Sequence, residues 1–330
     1  MPGIVRFNKL GGPEVLKIEN ETSKQPGKGE VRLRVQAVGL NRAELMFLHG
    51  QYLEQPKFPA GLGYEAAGVV EAVGPDVDKS WVGKPVATVP AFSMNDYAML
   101  GEEVIAPVAA LGEYPAKLSA VEAAAIWMQY LTAYGALIAI AHLGKGDFVV
   151  IPAASSSVGI AATQIAKAEG AISIATTRKS NKKAELLSLG ADHVIATEEE
   201  DLVERVQEIT GGKGARVTFD PVAGPFLEKL AAASAPGGTV FEYGALSMQP
   251  TPFPLFTALG KGLSIRGYTL MEVTRDPQKL AAAKKYVYDR LADGRFHPKI
   301  AKVFPFAQTV EAYKYLESNA QVGKVVITVP

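Results

Sequence analysis

Apolar and polar residues alternate with a period of two through the first third of the chain. Short runs of this kind, separated by Gly and Pro, predict a β-rich domain with a barrel-like architecture. The predicted strands are Ile4–Phe7, Val15–Ile18, Val31–Val35, Ala66–Gly74 and Pro85–Val89.

From Asp147 onward the pattern changes to short, nearly continuous apolar runs that alternate with helical segments. This alternation predicts βαβ units around a parallel sheet that helices cover on both faces. The predicted strands are Phe148–Ile151, Ile172–Thr176, His193–Ala196, Arg216–Phe219 and Thr239–Tyr243. The predicted helices are Ser157–Glu169, Asn181–Leu189, Asp201–Thr210 and Pro225–Ala235. The remaining predicted elements are a strand near Leu263–Tyr268, a helix near Pro277–Asp293, and a last strand, Val325–Val329, that returns to the first domain.

The longest apolar stretch, Ala123–Leu143, is interrupted by Gln129, Thr132 and His142. A membrane span would be more uniformly apolar, so we predict a buried helix and no membrane association. The 34 basic and 34 acidic residues cancel, which leaves no net charge to attract nucleic acid. The chain has no cysteine, which excludes disulfides, thiolate catalysis and Cys-based zinc sites. With no signal-peptide core at the N-terminus, these features lead us to expect a cytoplasmic protein.

A turn of small residues joins the first strand of the α/β region to its first helix. Small residues let the backbone approach a pyrophosphate, and the helix N-terminus offers free N–H groups. Two positions that carry glycine in the usual fingerprint are serines here, so the turn alone is a weak signal. An ordinary capped helix start is the alternative interpretation. The candidate phosphate-binding residues are Ser155, Ser156, Ser157, Val158 and Gly159.

A basic segment, Arg178–Lys183, follows this turn by about 20 residues. A residue at that distance contacts the adenosine ribose in dinucleotide-binding units, where an acid suits NAD and Arg suits the NADP 2′-phosphate. The segment contains four cations and no acid, and cations at a helix start oppose the helix dipole unless an anion binds there. A solvated basic helix end is the alternative. Turn and segment together favour NADPH, held by Thr177, Arg178 and Lys182.

Six short stretches carry a family resemblance: Gly39–Glu44, Gly61–Val70, Tyr130–Tyr134, Ala153–Gly159, Gly190–Ile195 and Val322–Val326. In these the chain resembles the medium-chain dehydrogenase/reductase superfamily, specifically its zinc-free quinone oxidoreductase (zeta-crystallin-like) branch, over essentially its whole length. The resemblance implies an α/β protein with a GroES-like β-barrel domain, residues 1–124 and 266–330. A Rossmann domain with a doubly wound parallel sheet, residues 125–265, would be inserted in it. Similar proteins place the active cleft between these domains, and many are homodimers through Rossmann edge strands.

The chain departs from the zinc-dependent members of this superfamily. Those relatives carry a Cys near Asn41 and a His in a Gly-His-Glu stretch, which here reads Gly63-Tyr64-Glu65. Their Cys-rich structural-zinc lobe is also missing, and none of the four His forms a ligand pair. One carboxylate without imidazole or thiolate partners is a poor zinc site, so we expect no bound metal.

Without zinc, no Lewis acid polarises the substrate, and hydride addition to a quinone or an electron-poor C=C bond is favoured. This reaction needs a positioned acceptor, a hydrogen-bond donor to its carbonyl and a source of protons. The resemblance places Asn41 near the nicotinamide ribose and substrate. It places Tyr52 where related enoyl reductases hold a proton-donating tyrosine, and Tyr64 where zinc enzymes have histidine. For each tyrosine, a half-buried ring with a satisfied hydroxyl is the alternative.

The resemblance also implies cofactor contacts outside the phosphate turn. They lie on the interdomain helix, at the end of the fifth Rossmann strand, where open α/β sheets bind ligands, and in the C-terminal tail. A plain surface lysine is the alternative for the tail lysine. The residues are Tyr130, Thr132, Tyr243, Gly244, Ala245, Asn319 and Lys324.

We therefore predict a zinc-independent, NADPH-dependent reductase of a small quinone or enone. An enoyl-thioester reductase acting on CoA or acyl-carrier substrates is an alternative, and would need a basic entrance for the substrate phosphates. A non-catalytic NADPH-binding protein with a structural or RNA-associated role is a further alternative, although the balanced charge argues against RNA.

Overall fold

The computed structural model describes all 330 residues, Met1–Pro330, and divides into two compact units. Unit 1 comprises Met1–Met128, Lys284–Ala292 and His297–Pro330. Unit 2 comprises Gln129–Ala283 and Asp293–Phe296. Both ends of the chain therefore belong to unit 1, as the resemblance implies for the barrel domain.

The helices and strands are numbered in chain order. The strands are β1 (Gly3–Phe7), β2 (Lys17–Asn20), β3 (Glu30–Gly39), β4 (Ala60–Gly61), β5 (Glu65–Val73), β6 (Pro85–Thr88), β7 (Glu103–Pro107), β8 (Leu111–Gly112), β9 (Phe148–Ile151), β10 (Ile172–Thr177), β11 (His193–Ala196), β12 (Ala215–Asp220), β13 (Ser234–Glu242), β14 (Ser264–Gly267), β15 (Ile300–Pro305) and β16 (Lys324–Thr328). The α-helices are α1 (Arg42–Leu48), α2 (Ala120–Ala123), α3 (Trp127–Tyr134), α4 (Ser157–Glu169), α5 (Lys183–Ser188), α6 (Leu202–Thr210), α7 (Phe226–Ala233), α8 (Leu255–Lys261), α9 (Met271–Thr274), α10 (Pro277–Ala292) and α11 (Thr309–Glu317).

Seven strands of unit 1 form a mainly antiparallel sheet in the order β15-β16-β3-β5-β6-β8, and β7 pairs with β3 as well. The pairing of β3 with β5 shifts register twice, and such bulges bend a sheet towards closure. A second, three-stranded sheet has the order β2-β1-β4. The last strand, β16, pairs with β3, where Val326 lies opposite Gly39. The predicted return of the last strand to the first domain is thus confirmed.

Unit 2 is built on one parallel sheet in the order β11-β10-β9-β12-β13-β14. The direction of winding reverses between β9 and β12, which makes this the topological switch point of the sheet. In such sheets ligands bind outside the carboxyl ends of the strands at the switch point. The predicted Rossmann fold is confirmed.

Helix α4 shows how local residues define the elements of unit 2. The side chain of Ser156 accepts a hydrogen bond from the Gly159 N–H group at 3.0 Å and so caps the first turn. The helix ends at Gly170, whose φ of 73° lies in the left-handed region that glycine adopts without strain. The predicted bounds, Ser157–Glu169, are confirmed at both ends.

Two predicted elements differ from the observed ones because short 3₁₀ turns precede them. Pro13–Val15 form such a turn, and the strand predicted at Val15–Ile18 runs instead over Lys17–Asn20. The helix predicted from Asn181 begins with a 3₁₀ turn over Ser180–Lys182 and becomes α-helical only in α5. Periodicity does not distinguish the two kinds of turn over three residues.

The sheet of unit 2 continues one strand beyond the predicted series. The run Leu263–Tyr268 is predicted as a strand, and it forms β14, which pairs with β13 in parallel. Unit 2 includes this strand and extends to Ala283, while the domain bounds implied by the resemblance stay a prediction. Sequence periodicity identifies a strand but not its partner, so the pairing of β14 with β13 is given only by the structure.

One helical stretch, Ala120–Ile140, is long and apolar enough to cross a membrane, with a mean hydropathy of 1.4. Of its most apolar 18-residue window, 72% is buried inside the protein, as in core helices of globular proteins. The stretch is also irregular, because a π-helical segment, Gly135–Ile140, follows α3. The burial agrees with the predicted core helix.

Candidate active site

Unit 1 contains a buried polar network centred on Glu44. Its carboxylate accepts hydrogen bonds from the Asn41 backbone N–H (3.1 Å), the Asn41 amide (3.1 Å), the Tyr64 N–H (3.2 Å) and the Tyr313 hydroxyl (2.7 Å). Burial raises the pKa of Glu44, while these donors act in the opposite direction. The four donors fix the start of α1, where Asn41 is the N-cap.

Lys324 extends this network from β16 and is only 1% exposed. Its ammonium donates to the side-chain oxygen of Asn41 at 2.6 Å and to Glu65 Oε2 at 2.7 Å. The second oxygen of Glu65 accepts the Met128 N–H group at 3.1 Å. Lys324 is therefore neither the surface lysine of the alternative nor a side chain with a free ammonium. Two of the three N–H groups of the ammonium are used, so one is left for a further acceptor at this buried position.

The same contacts restrict what Asn41 can do. Both N–H groups of its amide are used, one by the Gly39 carbonyl at 3.0 Å and one by Glu44. Its side-chain oxygen already accepts from Lys324 and keeps one lone pair. Asn41 is 7% exposed, so it can serve a ligand only as an acceptor, for example of a hydroxyl group.

Tyr52 and Tyr64 lie together, with ring centroids 6.5 Å apart, and the Tyr64 hydroxyl donates to Glu54 at 3.5 Å. Tyr64 is 1% exposed and also packs against Phe92, whereas Tyr52 is half-buried in the loop after α1. Burial raises the pKa of both phenols, so both are protonated at neutral pH. Of the two candidates, Tyr52 is the one with surface to offer a substrate. Tyr64 fits the alternative of a packed ring with a satisfied hydroxyl.

Asn319, the other tail candidate of unit 1, lies just after α11. It is exposed, with a positive φ of 58°, and its side-chain oxygen accepts from Arg42 at 2.5 Å. Arg42 also donates to the Leu316 carbonyl at 2.9 Å, so these contacts join the start of α1 to the end of α11.

In unit 2, the turn between β9 and α4 has the tight geometry expected of a phosphate-binding turn. A Cβ atom on Gly159 would lie 2.6 Å from the Cα of Ala154, so only glycine fits at this position. The N–H groups of the first turn of α4 and the hydroxyls of Ser155 and Ser157 stand at the positive end of the helix dipole.

The basic segment meets this turn through Lys182, whose ammonium donates to the Ser155 hydroxyl at 3.4 Å. Arg178 is exposed and forms no ion pair, whereas Lys183 pairs with Glu200. Burial, and then the charge of Arg178, lower the pKa of Lys182. The structure thus brings together two predicted 2′-phosphate contacts and one predicted pyrophosphate contact. Arg178 beside Lys182 forms a cationic site suited to a phosphate.

Tyr130 and Thr132 lie on α3. Tyr130 is fully buried, its ring stacks on Phe296 with centroids 4.7 Å apart, and its hydroxyl donates to Gln164 of α4 at 2.7 Å. Thr132 is 7% exposed. Tyr130 therefore packs α3 against α4.

Tyr243, Gly244 and Ala245 follow β13 at the carboxyl edge of the sheet. The ring of Tyr243 stacks on Phe219 with centroids 4.0 Å apart, and its buried hydroxyl has no hydrogen-bond partner. A buried hydroxyl without a partner is costly, and a polar group of a ligand at this edge would supply one.

Sequence reasoning did not single out Asp220 and Glu242, which end β12 and β13. Asp220 is fully buried and lies opposite Glu242 in the parallel register. Burial and the charge of Asp220 raise the pKa of Glu242 to about 8. The available signal was an acid at the end of each of two apolar strands, but only the strand register shows that the acids meet.

The structure gathers no group of three or more His, Asp or Glu side chains that could hold a metal ion. The Glu65 carboxylate, retained from the zinc-enzyme pattern, is instead paired with Lys324.

Two family matches together cover most of the chain: residues 27–133 match the alcohol dehydrogenase GroES-like domain, and residues 157–289 match the zinc-binding dehydrogenase family. The chain is 32% identical to quinone oxidoreductase 1 of Escherichia coli K12, over 97% of each chain. It is 30% identical to a 2-haloacrylate reductase of a Burkholderia species, again over 97% of each. The crystal structure of Escherichia coli quinone oxidoreductase complexed with NADPH has a TM-score of 0.90 at 30% identity, over 99% of each chain.

Proposed function

Because the chain belongs to the quinone oxidoreductase branch of the medium-chain dehydrogenase/reductase superfamily, we propose that it is a zinc-independent reductase using NADPH to reduce quinones or α,β-unsaturated carbonyl compounds. The observation that carries this proposal is the cationic site made by Arg178 and Lys182 next to the phosphate turn. The similarity to a quinone oxidoreductase solved with NADPH supports the same cofactor here.

The residues of unit 2 fit this cofactor. Arg178 and Lys182 would hold the 2′-phosphate, and the start of α4 with Ser155 and Ser157 would hold the pyrophosphate. The unpartnered hydroxyl of Tyr243 would gain a polar contact. NADPH, when bound, supplies the hydride for the reaction.

Unit 1 supplies the polar groups for the acceptor. Reduction of an enone builds negative charge on the carbonyl oxygen and requires a proton at the α-carbon. Tyr52 is half-buried, and its phenol is protonated at neutral pH because burial raises its pKa. We propose that Tyr52 donates this proton or a hydrogen bond to the carbonyl. A hydroquinone anion is more stable and can take its proton from water.

Zinc independence is part of the proposal, and Lys324 supports it. The ammonium of Lys324 already donates hydrogen bonds to Glu65 and Asn41. Tyr64, which precedes Glu65, and Arg42, which follows Asn41, are poor zinc ligands. Activity should therefore survive dialysis against EDTA, and elemental analysis should find less than one zinc ion per chain. Activity that disappears with EDTA and returns with zinc would contradict this part.

We also propose a cytoplasmic homodimer, formed through the edge of the unit 2 sheet. Strand β14 is an edge strand, and α8, which precedes it in the chain and packs on β13, exposes large apolar side chains. The most exposed of them are Phe256 (86%) and Leu259 (69%). Sedimentation equilibrium should show a dimer, and Phe256→Asp should shift it towards monomer. A wild-type monomer at micromolar concentration would rule this interface out.

A panel of acceptors tests the reaction itself. NADPH oxidation is followed with a 1,4-quinone, a simple enone and crotonyl thioester, each against NADH as control. Turnover of quinone or enone with NADPH supports the proposal, and a clear preference for crotonyl thioester would favour the enoyl-thioester alternative. NADPH binding without turnover of any acceptor would favour the non-catalytic alternative.

A further inference from the structure

Asp220 and Glu242 form a pair of carboxyl groups at the ends of neighbouring parallel strands, β12 and β13. Asp220 is fully buried, and its two oxygens accept the N–H groups of Val222 at 2.8 Å and Ala223 at 2.9 Å. Hydrogen bonds from backbone amides stabilise an ionised carboxylate. Asp220 is therefore the better placed of the two to carry the negative charge.

Glu242 has no such support. Both of its carboxyl oxygens are buried, and neither receives a hydrogen bond from an amide or hydroxyl. The polar group that they face is the Asp220 carboxyl. Two ionised carboxylates can only accept, so a hydrogen bond between them requires a proton on one. A protonated Glu242 can donate to Asp220, whereas an ionised Glu242 would be a second buried charge without compensation.

The neighbouring elements bring no cation to neutralise this pair. On the β14 side, Arg266 pairs with Glu272 at 2.6 Å. Tyr243 and Tyr268 stay protonated, because burial raises the pKa of both phenols. Asp220 is the one charged group that acts on Glu242, and together with burial it raises the pKa of Glu242 to about 8.

The pair lies at the edge that carries proposed cofactor contacts. Tyr243, Gly244 and Ala245 directly follow Glu242. The two strand ends are joined here by backbone hydrogen bonds, from the Tyr243 N–H to the Asp220 carbonyl and from the Leu246 N–H to the Pro221 carbonyl, both at 2.9 Å. Repulsion between the two carboxylates would act directly on this junction.

We propose that Asp220 and Glu242 share one proton near neutral pH, which holds the ends of β12 and β13 in the form that binds cofactor. Release of the proton at alkaline pH weakens the binding of NADPH and NADH alike. This inference rests on the proposed function, since it assumes that the loop after β13 contacts the cofactor. Glu242 acts as a positioning residue, through the loop that follows it.

Cofactor affinity as a function of pH tests the proposal. Dissociation constants for NADPH and NADH are measured by fluorescence titration between about pH 7 and about pH 9. The wild type should lose about threefold or more in affinity for both cofactors, the order expected when one charge is added near a bound anion. Glu242→Gln should keep its NADH affinity over this range. Glu228→Gln, which removes an exposed carboxylate of α7, is the control and should behave as wild type.

A loss of affinity confined to NADPH would overturn the proposal, because it would point to Lys182 and the 2′-phosphate. NADH lacks that phosphate, so the pH dependence of its affinity reports only the state of the β12 and β13 strand ends. Equal pH dependence of NADH binding in the wild type and Glu242→Gln would overturn it as well.

Unfolding without cofactor separates this inference from the proposed function. The pKa of Glu242 is raised from 4.5 in the unfolded chain to about 8, so its stabilising contribution is present below pH 4.5 and lost as pH rises to about 8. The melting temperature of Glu242→Gln should match that of the wild type near about pH 5 and exceed it above about pH 8. If the melting temperatures of Glu242→Gln and the wild type change in parallel with pH, the shared proton is refuted. Diverging profiles in a protein that binds no NADPH would refute the proposed function alone.

Discussion

The buried network of unit 1 and the carboxyl edge of the unit 2 sheet are both rich in polar groups, but they differ in how completely those groups are satisfied. In unit 1, Glu44 accepts four hydrogen bonds and Lys324 is shared between Asn41 and Glu65. In unit 2, the exposed Arg178 has no ion pair, and the buried hydroxyl of Tyr243 has no hydrogen-bond partner. A closed network fixes the positions of strands and helices. An edge with unmet charges is where a charged ligand gains most by binding.

This comparison also changes the roles of several candidates. Asn41, Tyr64 and Lys324 belong to the closed network, and each is less than about a tenth exposed. Their hydrogen bonds hold neighbouring elements in place, and Asn41 keeps one acceptor for a ligand. Arg178, Lys182 and Tyr52 are the candidates that keep surface or charge for a ligand. The predictions below test this division, from the largest expected effect to the smallest.

Lys324→Met breaks the closed network at its one ion pair. It leaves the Glu65 carboxylate, which is 0% exposed, without its countercharge, and the free energy of unfolding should fall by about 3–5 kcal/mol. Denaturation in urea measures this loss. Adding Glu65→Gln removes the unpaired charge and should recover much of it. Lys314→Met on the exposed face of α11 is the control, with a change of about 0.5 kcal/mol or less. A loss that small in Lys324→Met would mean that the network is not closed as described.

Tyr52→Phe tests the half-buried tyrosine of unit 1 that is exposed enough to contact a substrate. A positioned acid contributes about 10²-fold or more to a step that needs a proton, so enone turnover should fall by about that factor. Quinone turnover should change much less, with NADPH affinity unaltered. Tyr64→Phe serves as the comparison, because it removes the neighbouring buried hydroxyl while keeping the ring that packs against Tyr52. Wild-type turnover rates with both acceptors in Tyr52→Phe would assign Tyr52 to packing.

How well the sequence predicts these two regions depends on how far apart in sequence the interacting residues are. Helix α4, with its Ser156 cap and Gly170 end, is specified by neighbouring residues and was predicted at both bounds. The meeting of Asp220 with Glu242 depends on the register of two strands 22 positions apart, which periodicity does not give. The burial of Lys324 likewise depends on where β16 pairs. A lysine that ends inside the protein looks in sequence like one on its surface.

Arg178→Ala tests the cationic site of unit 2. A charge-assisted contact with phosphate contributes roughly 1.5–3 kcal/mol, so NADPH should bind about tenfold more weakly or worse, with NADH affinity nearly unchanged. The wild type should accordingly prefer NADPH by about tenfold or more. Lys179→Ala removes the adjacent exposed cation and is the matched control. Equal losses for both cofactors would place Arg178 away from the 2′-phosphate.

The pH dependence of the cofactor preference should give the smallest effect, and it tests whether Lys182 contacts the 2′-phosphate. Burial and the charge of Arg178 lower the pKa of Lys182, so its positive charge is lost at lower pH than that of an exposed lysine. As pH rises through this lowered pKa, the ratio of NADPH to NADH affinity should fall a few-fold. Taking the ratio cancels any loss through Glu242, which affects both cofactors.

Arg178→Gln removes the nearby cation and raises the pKa of Lys182, so the fall in the ratio of NADPH to NADH affinity should begin at higher pH. In Lys182→Gln the ratio should be lower and independent of pH. A ratio in Lys182→Gln that falls as in the wild type would show that Lys182 does not contact the 2′-phosphate.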